Sequence, residues 1–112
     1  MARFTRGRPA RSIIRDNLAK ILFVVGECYG YRAFLIYRRV FGPVSIRSIY
    51  YNLDKGVLLE EFEIVRTERA EGTFSWGKIS DRNYYALKRR DISISEDDII
   101  RIKSAMDGPA GN

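Results

Sequence analysis

Polar side chains that could bind a ligand recur at helical spacing in "GPVSIRSIYYNLDKGVLLEEF", residues 42–62. At about 100° per residue, one apolar stripe of this predicted helix collects Ile46, Ile49, Tyr50, Leu53 and Val57. The opposite side collects Arg47, Ser48, Tyr51, Asn52 and Lys55. This polar face is predicted to hold no carboxylate, although the chain has 14 acidic residues.

Hydrogen-bonding groups of this kind suit the base edges and phosphates of a nucleic acid. Arginine pairs in a bidentate manner with guanine, and asparagine pairs in the same manner with adenine. We therefore expect Arg47 and Asn52 to contact base edges. The other polar residues would contact phosphates or sugars: Ser48, Tyr51 and Lys55. The alternative is that the face is only the solvated side of an amphipathic helix.

Residues 1–11 are predicted to form a flexible basic arm, since they contain helix-breaking residues and few apolar ones. Within this arm, Arg6-Gly7-Arg8-Pro9 matches the core of an AT-hook. In that motif an extended Arg-Gly-Arg segment lies in the narrow minor groove of A·T-rich DNA. Arg11 would add affinity for phosphates. A basic tail without a defined ligand is the alternative.

Further candidates lie in a predicted loop over residues 70–81 and on the helix before residue 42. The loop and its ends carry basic residues that could contact a nucleic-acid backbone: Arg69, Lys78 and Arg82. Trp76 could stack on an unpaired base, or it could pack the loop onto the body of the protein. Arg38 and Arg39 could contact phosphates beside the polar helix.

Composition narrows the classes of function. The chain has 112 residues, no histidine and one cysteine, which excludes Ser-His-Asp triads and multi-cysteine metal sites. We therefore expect no enzymatic activity, no metal and no cofactor. Residues 1–55 hold 11 Lys or Arg against 3 acids, whereas residues 56–112 hold 9 against 11, within a net charge of +6. A basic front half favours a polyanionic partner.

The helices and strands that position these residues are predicted from the spacing of apolar residues and from the capping and helix-breaking residues at their ends. The first helix is predicted to begin after Ser12 as N-cap and to end at Gly26. A turn is predicted at 28–31, a second helix over 31–42, and a third helix with Ser45 as N-cap. Strands are predicted over 58–69 and 82–90, and a last helix after Ser95. On the first strand, alternation would place Phe62, Ile64 and Arg66 on one face, with Glu63, Val65 and Thr67 on the other.

This order predicts an α+β winged helix-turn-helix fold, with a three-helix core plus a β-hairpin wing. The organisation would be an arm over 1–11, the winged-helix domain over 12–90, a C-terminal helical extension over 91–107 and a tail over 108–112. The apolar runs are too short for a bilayer span or a signal peptide. We therefore expect a cytoplasmic protein with no membrane partner.

The stretch from Tyr29 to Leu87 resembles winged-helix transcriptional regulators of the PadR-like group. The resemblance is carried by "YGYRAFLIYRRVFGPVSIRSIYYNLDKGVLLEEF" and by "YYAL". In that family an aromatic-Gly-Tyr opens helix two, and a "vs.gtlYp.L..Le..Gli" pattern spans the recognition helix and first wing strand. Here Tyr51 replaces the usual proline of that pattern. The chain also looks like small archaeal winged-helix proteins.

The resemblance implies a regulator that binds duplex DNA, with its third helix in the major groove. It also implies a homodimer, although the family dimerises through long C-terminal helices and this chain offers only one short helix after Ser95. Two alternatives stay open. One is an RNA-binding component of a ribonucleoprotein such as the ribosome, which would prefer structured RNA. The other is a protein-interaction winged helix with Glu60, Glu61 and Glu63 as its docking surface.

Overall fold

A computed structural model describes residues 12–69, 81–89 and 91–107 of the chain. Within these ranges the elements follow in the order α1 (Ile13–Val25), β1 (Glu27–Tyr29), α2 (Gly30–Val40), α3 (Ile46–Leu58), β2 (Phe62–Arg69), β3 (Asp81–Leu87) and α4 (Glu96–Asp107). The predicted arm over 1–11, the interior of the loop over 70–81 and the tail over 108–112 lie outside the described residues.

Three helices begin at the serines that the sequence predicted as N-caps. The Oγ atoms of Ser12, Ser45 and Ser95 each accept a hydrogen bond of 3.1 Å from a backbone N–H three residues later. Such a cap satisfies one of the N–H groups that the first helical turn leaves without a partner. α1 ends at Gly26, whose φ of 96° suits a residue without a Cβ atom.

The sheet contains a strand that the sequence analysis missed. Its three strands are antiparallel in the order β1-β3-β2, and β1 includes Cys28 and Tyr29, which were predicted to lie in a turn. Cys28 lies opposite Tyr85 in this pairing, and both side chains are buried. A strand of three residues is too short to show an alternating pattern, so only its pairing with β3 identifies it.

The predicted alternation of β2 is wrong beyond Ile64. Ile64 pairs with Tyr85 and Arg66 pairs with Tyr84, with a β-bulge between them. Successive residues of β3 point to opposite faces, so Arg66 lies on the face opposite Ile64. β2 also begins at Phe62 rather than residue 58, because α3 continues to Leu58.

The core draws side chains from all four helices and all three strands. Buried apolar residues are Leu18, Ile21, Leu22, Cys28, Ala33, Ile36, Tyr37, Val40, Ile49, Leu53, Phe62, Tyr85, Leu87 and Ile102. α4 belongs to this core through the fully buried Ile102, and Lys20 of α1 forms a 3.1 Å ion pair with Asp98. The ring of Phe62 lies so close to Gly56 that a Cβ atom at this position would overlap it.

The α+β class is confirmed, with four helices and a small three-stranded antiparallel sheet in the described ranges. This arrangement is compatible with the predicted winged helix. Among the described helices, none is both long enough and apolar enough to cross a bilayer.

Candidate nucleic-acid interface

The exposed side of α3 differs from the side that the sequence predicted. Its buried residues are Ile49, Asn52, Leu53 and Gly56. At about 100° per residue, this places the inward stripe roughly 60–70° away from the predicted one. Tyr50, predicted in the apolar stripe, is 41% exposed, and Tyr51 is 62% exposed. Arg47 is exposed as predicted, whereas Ser48 and Lys55 are partly covered.

Asn52 does not lie on the exposed face, and its predicted contact with a base edge is wrong. The residue is 5% exposed. Its Nδ2 donates a 2.9 Å hydrogen bond to the Ser48 carbonyl, and its Oδ1 accepts one of 2.9 Å from Ser12 Oγ. A polar residue can lie inward when the neighbouring helix supplies a partner, which the period of a single helix does not reveal.

The exposed side of α3 is also not free of carboxylates, contrary to prediction, because Asp54 lies on it. Its Oδ1 accepts a 2.8 Å hydrogen bond from the Tyr85 hydroxyl of β3. Asp54 follows Arg47 by seven residues, which is roughly 10 Å along the helix axis. The first turns of α3, with Arg47, Ser48 and Tyr51, therefore remain without an acidic residue.

Several basic residues outside α3 form ion pairs with acids in the described fold. Arg15 pairs with Glu61 at 3.1 Å, and Arg66 pairs with Glu27 at 2.8 Å. Other paired cations are Lys20, Lys88, Arg89 and Arg101.

Another group of cations has no ion-pair partner in the described part of the chain. This group contains Arg32 and Arg38 on α2, Arg47 and Lys55 on α3, Arg82 on β3 and Lys103 on α4. Unpaired positive charge is therefore concentrated on α2, α3 and the start of β3.

The predicted arginines of α2 lie in its last turn and are both exposed. The Arg38 guanidinium lies 5.4 Å from the centre of the Phe34 ring. Arg38 and Arg39 are followed within a few residues by the Gly42-Pro43 link to α3. This position places their positive charge beside the link between the two helices.

The outer face of the sheet carries an ordered stack of side chains that sequence reasoning missed. Arg82 lies 4.6 Å from the ring centre of Tyr29, which meets Tyr84 edge to face at 5.4 Å. Arg66 covers the other ring at 3.7 Å from its centre. Arg66 and the Tyr84 hydroxyl both donate hydrogen bonds to Glu68, which lowers the pKa of that carboxyl. The sequence does not show this stack, because the stack forms only through strand β1, which was not predicted, and through the bulge in β2.

The remaining predicted site residues are only partly described. Arg82 is exposed at the start of β3. The backbone of Arg69 ends β2, paired with Asp81, and its side chain is not among those described. The other candidates lie outside the described residues: Arg6, Arg8, Arg11, Trp76 and Lys78.

Carboxylate side chains and the single cysteine do not converge to form a metal site anywhere in the described ranges. The thiol of Cys28 is buried, and burial raises its pKa to about 12. A thiol that stays protonated at neutral pH is a poor nucleophile. Cys28 therefore acts as an apolar core residue.

Comparison with known proteins adds no relative, because no family model, curated protein or solved structure matches the chain. The resemblance to PadR-like regulators therefore stays a prediction from the quoted segments.

Proposed function

We propose that the chain is a winged-helix DNA-binding protein that acts as a transcriptional regulator, with α3 as its recognition helix. The order α1-β1-α2-α3-β2-β3, with β1 and β2 on either side of β3, supports a helix-turn-helix followed by a wing. In such domains the residues near the N-terminus of the recognition helix contact base edges in the major groove.

The observation that carries the proposal is that Arg47 is exposed and has no acidic partner in the described part of the chain. Arg47 is exposed in the first turn of α3, and it has no ion pair within the described ranges. Cations on α1, on β2 and directly after β3 have carboxylate partners instead. A guanidinium that has no ion pair and no acidic neighbour can make a bidentate contact with a guanine without first breaking a contact inside the protein.

Neighbouring residues complete this interface in roles set by their exposure. Tyr51 lies one turn after Arg47 and is 62% exposed, so it can contact a sugar or phosphate. Lys55 extends the same side toward the C-terminus of α3, and Arg38 and Arg39 add positive charge from α2. Asn52 is inside the fold, and the proposal gives it no contact with DNA.

The test is a measurement of Kd for duplex DNA by fluorescence anisotropy across a series of salt concentrations. Arg47→Ala should weaken binding to a selected site by about 1–3 kcal/mol, the usual value of one bidentate base contact. Lys103→Ala is the matched control, because it removes one exposed, unpaired positive charge from α4. This control should change Kd less than twofold. Equal losses in the two variants would contradict a recognition role for α3.

Sequence preference separates a regulator from a general DNA-coating protein. Repeated selection from a pool of random duplexes should enrich one short motif for the wild-type chain. Arg47→Ala should relax the motif at one position, because a base contact and not a phosphate contact is lost. A pool that remains random after selection would contradict the regulatory part of the proposal.

A further inference from the structure

A polar notch of about 180 Å³ opens between α3 and the adjoining strands β1 and β3. Its wall includes Tyr50 and Asp54 from α3, Tyr29 and Gly30 from the junction of β1 with α2, and Arg82 from β3. Because Tyr50 and Asp54 are both exposed, the notch adjoins the side of α3 that also carries Arg47.

The notch offers one positive and one negative group with unused hydrogen-bonding capacity. Arg82 lies over the Tyr29 ring and has no ion pair in the described fold. Asp54 accepts the Tyr85 hydroxyl through Oδ1, and its Oδ2 has no hydrogen bond to any described residue. A small ligand with a net charge would meet one like charge in this space. A neutral group that offers both a donor and an acceptor would suit the carboxylate and the guanidinium together.

An aromatic wall stands beside these two groups. The Tyr50 ring lies against Gly30, where a Cβ atom would overlap it, and 41% of the residue remains exposed. The ring is therefore held in place on one side and open on another. An aromatic ring held in this way can stack on a planar ligand without losing further side-chain freedom.

We infer that this notch receives a single unpaired base that carries an amino group, as cytosine does, from a nucleic acid bound on α3. The inference rests on the proposed function for the source of the base. The exocyclic amino group would donate to Asp54, and the adjacent ring nitrogen or carbonyl would accept from Arg82. Thymine presents a carbonyl oxygen where cytosine presents its amino group, so it would face the carboxylate and bind less well.

The test compares three DNA duplexes that differ at one position. One is fully paired, one carries a single unpaired cytosine, and one carries a single unpaired thymine. Fluorescence anisotropy should show about tenfold tighter binding of the cytosine duplex than of the paired duplex, an effect expected for stacking one base. The thymine duplex should gain much less. Equal affinities for the three duplexes would overturn the inference.

Asp54→Asn is the decisive variant, because it removes a negative charge and preserves the shape of the side chain. The affinity of this variant for the fully paired duplex should stay the same or rise. Its preference for the duplex with unpaired cytosine over the one with unpaired thymine should be lost. Tyr50→Leu should lower the affinity for both duplexes that carry an unpaired base to the affinity for the fully paired duplex. Lys103→Ala should keep the preference, and thermal unfolding should verify that each variant is folded. A cytosine preference that survives Asp54→Asn contradicts the assigned contact.

Two further experiments separate this inference from the proposed function. If Arg47→Ala leaves all affinities unchanged while Asp54→Asn abolishes the cytosine preference, the notch is supported and the recognition role of α3 is wrong. The same sequences made as RNA, with uracil replacing thymine, identify the source of the base. Tighter binding of RNA with the same cytosine preference supports the notch and contradicts duplex DNA as the partner.

Discussion

Ser12 Oγ donates a 2.9 Å hydrogen bond to Asn52 Oδ1, and this contact joins the start of α1 to the inward side of α3. The same hydroxyl accepts the N–H of Arg15 and caps α1. Asn52 in turn donates to the Ser48 carbonyl one turn back along α3. The contact thus fixes the orientation of the candidate recognition helix against the rest of the core.

The first prediction concerns the strength of this contact. Asn52→Ala should lower the free energy of unfolding by about 1–3 kcal/mol, because it leaves buried polar groups without partners. Ser12→Ala should lower it by about 0.5–2 kcal/mol through the lost cap. The double variant should lose less than the sum of the two single losses. Urea denaturation measures all four chains, and strictly additive losses would show that the two side chains are not coupled.

The second prediction concerns Gly56, where local preference and packing disagree. Replacing a glycine by alanine inside a helix usually stabilises it by about 0.5–1 kcal/mol. Gly56→Ala should instead destabilise the fold by about 1–3 kcal/mol, because the Phe62 ring occupies the space of the new methyl group. Thermal or urea unfolding measures the change. The penalty should shrink in a Phe62→Leu background, and a stabilised Gly56→Ala chain would contradict the observed packing.

The sequence predicted the helices well because their signals are local. A serine cap, an apolar period and a closing glycine lie within a few residues of one another, as in α1 from Ser12 to Gly26. Strand β1 and the bulge at Val65 have no such local signal. Each depends on pairing with β3, which follows β1 by more than 50 residues. Non-local pairing of this kind cannot be read from periodicity alone.

The candidate site was predicted only in part for a related reason. Arg47 and Tyr51 are exposed as predicted, because both lie on the polar side of α3 under either orientation of the helix. Asn52 and Tyr50 lie at the margins of the apolar stripe, where a rotation of roughly 60–70° exchanges inside for outside. That rotation is determined by contacts with other elements, namely Ser12 for Asn52 and Gly30 for Tyr50.

The third prediction concerns stability at alkaline pH. Burial, followed by the hydrogen bond to Asp54, raises the pKa of Tyr85 above its ordinary value of 10.0. The folded state thus holds this proton more tightly than the unfolded state. The resulting stability is present below about pH 10 and is lost as the pH rises above that value. Urea denaturation from pH 8 to pH 11 should show a falling free energy of unfolding above about pH 10.

Tyr85→Phe is the control for this alkaline loss. The variant lacks the titrating hydroxyl, so its free energy of unfolding should fall less steeply above about pH 10. Its stability at pH 8 should be lower, because the buried hydroxyl donates a 2.8 Å hydrogen bond to Asp54. The same slope in both chains would assign the loss to other groups.

The fourth prediction joins the N-terminal arm to α3. Because Ser12 is bonded to Asn52, the chain leaves the described fold next to the candidate recognition helix. A segment of eleven residues has a maximum reach of roughly 35 Å, which would be enough to enter a neighbouring groove. Arg6→Ala combined with Arg8→Ala should abolish any preference for A·T-rich over G·C-rich flanks, because arginine favours the narrow A·T minor groove.

Anisotropy with two duplexes that share one core site and differ only in their flanks measures this effect. Lys88→Ala combined with Lys103→Ala is the control, since it removes the same amount of positive charge from the described part of the chain. The control should keep the A·T preference. The slope of log Kd against log salt should fall by roughly 0.9 for each arm arginine that also neutralises a phosphate. If the arm variant keeps the full A·T preference, the arm does not lie in the minor groove, and its charge contributes to affinity alone.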